Sequence, residues 1–279
     1  MKSILKGIAL SSLSLLAFWN VSCNKDDNSN NNDEVEFSAE DTALVARADN
    51  IVEGSQNVVE GGYVKTEEPT RTDNNIFPPD CATFIITGGG NNGGTITIDF
   101  GESCTLLTGA IVSGKINMSY GPIVSGQRNI TYNYENFTYN GNGVAGGGTI
   151  IRELENNQGN PQSTVNESIT ITFTGTTVTG TRTGQRVAEW VQGVGSGNWQ
   201  DNVFHIEGNW QTNLSNGFER TGVVTQTLVR KMSCLYLVSG RIEVSQQGLT
   251  GTLDFGDGTC DALATIIFNG HEYPVILGL

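Results

Sequence analysis

The chain has 279 residues and a formal net charge of −14, with 36 glycines against 6 prolines. So acidic a surface repels phosphate backbones and anionic lipid heads, which argues against nucleic-acid partners and against simple adsorption onto a membrane. The glycine excess, with recurring Thr, Asn, Val and Ile, suits many short strands joined by Gly/Asn turns, and the length suffices to bury a large β core.

Residues 1–22 read as a three-part export signal. Lys2 and Lys6 form the charged start, "GIALSSLSLLAFW" the apolar centre, and "NVS" brings small residues up to Cys23. A spanning helix needs roughly 20 apolar residues, and this run is shorter, so the segment is expected to be a cleaved leader rather than an anchor. Its loss removes two lysines and leaves the remainder more acidic still.

The residues around Cys23 change the expected outcome. "VSC" at 21–23 resembles a bacterial lipoprotein signal, in which the cysteine becomes the lipidated first residue of the mature chain; it departs at Asn20, where such signals usually carry Leu. The following "CNKDDNSNNNDE" resembles the acidic tether of surface-exposed lipoproteins of the Bacteroidetes type. That resemblance implies lipidation at Cys23, an export tag at Lys25, Asp26 and Asp27, and a place in the outer membrane, facing outward. It extends to the Thr/Gly-rich "VTGTRTG" (178–184) and to the closing stretch 239–270. It carries no activity and no catalytic residues to transfer. The polar run 23–37 has nothing to bury and is expected to stay disordered. Fully extended, residues 24–37 would reach ~45–50 Å at ~3.3–3.6 Å each.

Residues 38–62 are expected to form a short helix. Ser38 can cap it, Glu40 and Asp41 suit the positive end of its dipole, and Leu44, Ala48, Ile51 and Val52 share one face. Gly61-Gly62 reads as its stop. Residues 63–80, charged and holding three of the six prolines, read as a linker.

From residue 81 to 279 the pattern has period two with Gly/Asn breaks, and thirteen strands are expected. No helical pattern falls between them, so the fold class is all-β: an antiparallel meander forming a β-sandwich or a curled half-barrel, which must cover one face. Two related hairpin units are expected, at 81–120 and 234–279. They rest on "TITIDFGESC" (95–104) and "TGTLDFGDGTC" (250–260), which stay in register beyond their cysteines. A second echo, "VSGKI" (112–116) and "VSGRI" (238–242), falls on a different offset and reads as a favoured strand pattern.

Apart from Cys23, four cysteines remain: Cys81, Cys104, Cys234 and Cys260, which allow three pairings. The midpoint of the first two falls in the turn "GGNNGG" and that of the last two in "SQQG". Residues symmetric about a hairpin turn lie within disulfide reach, so Cys81–Cys104 and Cys234–Cys260 are the expected bridges. A four-cysteine metal site is disfavoured because no C-x-x-C is present.

Most chemical motifs dissolve on inspection. "GGGNNG" (88–93) and "GNGVAG" (141–146) match a nucleotide fingerprint, but strands rather than helices follow them, so both read as hairpin turns. The two "DFG" triplets lack the rest of a kinase. Asp254, Asp257 and Asp261 cluster about a turn and have the residue type for Ca²⁺, without the EF-hand pattern. Tyr132 and Tyr134 would stand side by side on one strand face and form a candidate platform for sugar rings, against the plain reading of core packing. His205 and His271 read as packing or surface residues. No H-E-x-x-H or G-x-S-x-G occurs, and no cofactor is implied.

The expected function is that of a lipid-anchored cell-envelope protein: a non-catalytic surface module that binds a glycan or protein partner or serves structurally, with the membrane met only through the N-terminal lipid. The alternatives are a secreted carbohydrate- or peptide-degrading enzyme and a carrier of an apolar ligand.

Overall fold

A computed structural model of the protein describes residues 39–67, 79–89, 92–106, 108–234 and 236–277. The leader, Cys23, the tag residues Lys25, Asp26 and Asp27, the capping Ser38 and most of the expected linker lie outside them.

Among the described residues one α-helix, α1 (Ala39–Glu67), precedes fourteen strands. The first seven are β1 (Thr83–Gly88), β2 (Gly94–Asp99), β3 (Cys104–Thr105), β4 (Ile111–Tyr120), β5 (Gln127–Tyr139), β6 (Asn142–Glu153) and β7 (Gln162–Thr172). The rest are β8 (Thr179–Gln192), β9 (Val203–Leu214), β10 (Glu219–Lys231), β11 (Leu237–Gln246), β12 (Leu249–Asp257), β13 (Leu263–Phe268) and β14 (His271–Ile276). All belong to one antiparallel meander in sequence order, with the two-residue β3 set beside β4. The sheet is open: β1 and β14 are its edges and do not pair with each other.

The period-two pattern works as the sequence suggests. Along β5 and β7 buried and exposed residues alternate, so each strand offers one face to the interior and one to solvent. The strand missing from the thirteen expected is β3, whose two residues are too few to leave a periodic signature.

α1 is the partner that covers the inner face, and it is longer than expected. It runs through Gly61-Gly62 to Glu67 because Tyr63 and Val64 continue its buried stripe. Gly62 marks a close approach rather than a stop. A Cβ there would sit 2.5 Å from Met118 Cε and 2.9 Å from Ile98 Cδ1. Acidic Glu40 and Asp41 in the first turn and Lys65 in the last suit the dipole.

Side chains reach α1 from strands far apart in the sheet. Met118 of β4, Tyr132 of β5, Ser163 and Glu167 of β7, Arg182 and Arg186 of β8, Arg230 of β10 and Gln246 of β11 all contact it. The sheet therefore curls around the helix without closing, and the core lies between them.

The two flanks of the sheet carry the same two-strand unit. On one, Asp99 of β2 stands opposite Lys115 of β4 and pairs with it at 3.0 Å. On the other, Asp254 of β12 stands opposite Arg241 of β11 and pairs at 2.8 Å. Each aspartate also accepts the N–H of the glycine two residues on, at 2.9 Å in both copies. The phenylalanine between, Phe100 or Phe255, is buried. Each basic residue follows a glycine at a β-bulge, with φ of 78° at Gly114 and 105° at Gly240. "VSGKI" and "VSGRI" are thus the partner strands of the two "DFG" strands. The chain order of the two strands is reversed between the copies, which is why the second echo falls on another offset.

Both bridges are present, with Cα–Cα distances of 5.4 Å for Cys81–Cys104 and 5.7 Å for Cys234–Cys260. The first is not the symmetric cross-hairpin pair expected, since Cys104 lies in β3, past the turn that ends β2. It ties the open end of the β1–β2 hairpin to β3. The second closes the open end of β11–β12 just beyond the last paired residues.

Candidate functional site

The densest chemistry lies between α1 and the inner face of the sheet. Asp49, Glu53, Gln56 and Glu60 fall three or four residues apart and form a polar stripe on a helix otherwise buried by apolar residues. Opposite them, Arg182 and Arg186 share the inner face of β8, and Arg220 and Arg230 that of β10. Arg182 meets Asp49 at 3.2 Å and Glu167 at 3.0 Å; Arg186 meets Glu53 at 3.2 Å and Glu60 at 3.3 Å. Arg220 lies 3.6 Å from Asp49 and Arg230 3.8 Å from Glu53. The four arginines and four carboxylates balance in charge.

Hydrogen bonds extend this array in both directions. Gln56 donates to the Tyr132 hydroxyl and, at 2.9 Å, to Glu167. Tyr63 donates to Glu60 at 3.0 Å and shares a 2.6 Å bond with Ser163, which also accepts from the fully buried Arg152 at 3.1 Å. Arg152 stacks over the Tyr63 ring at 5.4 Å, and Arg182 over Trp210 at 4.7 Å.

The electrostatics follow from burial and pairing. Burial pushes the Glu53 carboxyl up, but Arg186, Arg230 and Arg182 outweigh it and hold the group below its ordinary value. Burial works against the charge on Arg186, yet Glu53 and Glu60 hold its pKa above the usual arginine value. At Arg230 burial prevails over the pull of Glu53, and its pKa falls. Tyr132 and Tyr134 are raised by burial first, and then by the Glu167 charge and, for Tyr134, by Tyr132 beside it. Every carboxylate here has an arginine partner. The array can fix the helix in one register, but none of its acids is a free general acid or base.

Tyr132 and Tyr134 do share a strand face, as expected, but it is the inner one: both are buried, at 4% and 7% exposure. Their rings meet edge to face at 5.8 Å, and Tyr134 stacks on Phe137 at 5.1 Å. They are not an open platform for sugar, because the inner face is the one that α1 covers. Trp190 is buried as well, stacked on Phe204 at 5.8 Å.

The candidate calcium turn is also spent on local structure. Asp254 holds Arg241 and the Gly256 N–H, Asp257 accepts from Thr259, and Asp261 accepts the Leu263 N–H at 2.9 Å. Three carboxylates closing separate turns do not converge on one ion. Among the described residues no group of three or more His, Cys, Asp or Glu is placed to hold a metal. His205 lies in β9, opposite Glu189 of β8, and His271 is exposed at the start of β14.

The outer face is chemically different, and residue-by-residue reading missed it. Thr95, Ser119, Thr131, Thr149, Asn166, Gln185 and Asn209 are register partners in succession across β2 and β4–β9, and all are exposed. A parallel row begins Thr97, Asn117, Asn133 and resumes at Ser168, Thr183 and Gln211. Neither row contains a charge. A shallow depression of about 290 Å³ lies over the first three strands of both rows, lined by Thr95, Thr97, Asn117, Met118, Ser119, Thr131 and Asn133. Thr97 donates to Asn117 at 3.0 Å and Gln185 to Asn166 at 3.0 Å, so parts of the array are ordered internally. Strands ~4.8 Å apart thus present hydroxyls and amides at regular spacing. The signal was available as alternating Thr and Asn on the polar side of each strand, but only the register aligns them into rows.

Set against known protein families, curated proteins and solved structures, the chain matches none of them.

Proposed function

We propose that this chain is a lipid-anchored protein of the outer membrane. Cys23 carries the lipid, Lys25, Asp26 and Asp27 direct the protein to the cell surface, and the β domain serves as a non-catalytic binding or structural module. The observation that carries this reading is the juxtaposition of a short apolar leader, "VSC" and "KDD" within residues 7–27. Two disulfides suit an oxidising exported environment. The module reading is supported by the use of the interior charges: each carboxylate of the inner array is matched to an arginine across the helix–sheet interface. A neutral glycan fits the outer face best among partners, since its hydroxyls can exchange hydrogen bonds with the Thr, Asn and Gln of the two uncharged rows, beside which Asn117 donates to Glu135 at 2.8 Å.

The enzyme alternative requires two acids facing an open cleft. The acids that share an arginine, Glu53 with Glu60 at Arg186 and Asp49 with Glu167 at Arg182, lie in the interface between α1 and the sheet rather than in an open cleft. The carrier alternative requires the concave space that α1 fills.

Two measurements test the proposal. Cys23→Ala should move the protein from the membrane fraction to the soluble fraction and abolish incorporation of labelled palmitate; unchanged membrane retention would sink the anchor. Protease applied to intact cells should degrade the protein, and replacing "KDD" by alanines should protect it. Protection in both forms would place the module inside the envelope.

A further inference from the structure

The open sheet leaves two edges, and they are not equivalent. On β14, Leu277 donates its N–H to Ala262 at 2.7 Å, which continues the β13–β14 register. Residues of that parity turn their main-chain groups toward β13, so Pro274 sits where an N–H would point outward. Proline at that place denies an incoming strand its donor. The exposed Glu272 lies beside it.

Among the described residues β1 has no such guard. Gly89 donates to Gly93 at 3.2 Å, in the register of β1 with β2, so the odd-numbered residues bond inward. The N–H and C=O groups of Phe84, Ile86 and Gly88 therefore point away from the sheet. The strand reads "TFIITG", with neither charge nor proline, and Ile85 and Ile86 are 50% and 45% exposed. An uncharged, β-branched, unpaired edge is a template for strand addition.

The order of its side chains indicates which strand it takes. Residues 83–87 read nearly the same in both directions about Ile85. Laid antiparallel on a second copy, Thr83 stands opposite Thr87, Phe84 opposite Ile86, and Ile85 opposite Ile85. In this register the outward main-chain groups of Phe84 and Ile86 meet those of Ile86 and Phe84, giving four hydrogen bonds. A register centred on Ile86 could make six such bonds, but it sets Phe84 against Gly88 and Ile85 against Thr87, and of the three apolar pairs keeps only one, Ile86 against Ile86. The strand itself is uncharged and the Lys65 ammonium lies 5.6 Å from the Phe84 ring, so two molecules of strong net negative charge can meet here without carboxylate facing carboxylate in the paired strands.

We infer that β1 is a self-pairing edge, through which two copies of this chain join antiparallel about Ile85 into one continuous sheet. The pairing is two-fold symmetric and closes at a dimer, since the β14 edges are blocked. It strengthens with salt, which screens the repulsion between the two acidic bodies.

The test is a cysteine scan of the full chain in intact cells and in detergent solution. Across the two-fold axis the Ile85 Cα atoms would lie ~4.5 Å apart, within disulfide reach. Ile85→Cys should give a reducible covalent dimer, at least tenfold more of it than Ile86→Cys. In sedimentation the unmodified chain should dimerise, more so in higher salt, and Ile85→Lys should leave it monomeric with an unchanged circular dichroism spectrum. Ile86→Pro, which removes an outward N–H and no bond to β2, should do the same. A chain that stays monomeric, equal cross-linking at both positions, cross-linking at 86 alone, or a dimer indifferent to Ile85→Lys would each overturn the inference.

Discussion

The concave face of the sheet carries Arg152, Arg182, Arg186, Arg220 and Arg230 against a helix bearing Asp49, Glu53 and Glu60, whereas the convex face carries two rows of Thr, Ser, Asn and Gln with no charge among them. Most half-covered sheets put apolar residues inside and charge outside; here the apolar core is kept with buried ion pairs added to it, and outer charges such as Asp99, Lys115 and Glu135 stand beside the two rows rather than in them. The difference teaches what each face is for. Buried ion pairs add little net stability over an apolar core, but they are costly to break and so penalise any wrong register of α1. A neutral hydrogen-bonding surface is cheap to leave in water and available to a partner.

This contrast can be broken at the level of single residues. Glu167 is buried, pairs with Arg182 at 3.0 Å and accepts from Gln56 at 2.9 Å. Its replacement by alanine leaves Arg182 with Asp49 alone and should cost about 3–5 kcal/mol, read from the urea midpoint. Replacing Glu167 and Arg182 together, by leucine and methionine, should cost clearly less than Glu167→Ala. An equal or larger cost would mean the inner array is held by something other than charge matching.

Next in size is the loss of a flanking staple. Cys234→Ser with Cys260→Ser should lower stability by about 3.5 kcal/mol on chain-entropy grounds, less any native strain. The paired change at Cys81 and Cys104 should have a similar effect, since the loops are of similar length, with separations of 26 and 23. A much smaller loss at one flank would show that the two units are alike in sequence but not in energetic role.

Acid and base should act on the inner face, with acid also acting on Asp99, Glu189 and Asp257 outside it, whose hydrogen bonds hold them below their ordinary values. The Glu53 pKa is held below its ordinary 4.5 when folded, so its contribution is present above pH 4.5 and is lost as pH falls through the lower folded value. The Tyr132 and Tyr134 pKa values are raised above 10.0 when folded, so stability is full below pH 10 and is lost as pH rises beyond it. Urea midpoints measured across pH should therefore show a plateau between these limits and fall on both sides. A midpoint that declines already near neutrality would contradict the pairing described.

The smallest effects should come from the convex face. Asn166 and Gln185 are exposed and bond to each other at 3.0 Å, and replacing either by alanine should change stability by no more than about 0.5 kcal/mol. A partner that uses this face would lose affinity on the same substitutions.

Much of the fold was legible because the strands obey a period of two and the turns are marked by Gly and Asn. The strand positions and both cysteine pairs follow from that pattern. Four features were not. Gly61-Gly62 carries the composition of a helix stop, but Gly62 is required by the closeness of Met118 and Ile98, a tertiary demand with no local signature. Tyr132 and Tyr134 were rightly placed on one face, yet period two does not say which face turns inward. The arginines of β8 alternate with Thr and Gly, which reads as a solvated strand. Only the acidic stripe Asp49, Glu53 and Glu60 on α1 makes them interior residues, and the two sets lie over a hundred residues apart in the chain. Similarly, Lys115 and Arg241 became equivalent only once register set each against the aspartate of a "DFG" strand.

The account turns on α1 being a fixed part of the interior rather than a removable plug, because both the assignment of function to the outer surface and the rejection of a carrier depend on it. Amide hydrogen exchange of the folded chain tests this most directly. The amides of Val45, Ala48, Val52, Val59 and Val64 should exchange as slowly as those of central strands β6–β8, opening only with global unfolding. Exchange of the helix orders of magnitude faster than the sheet would show that α1 leaves the concave face, and that space would then become the binding site.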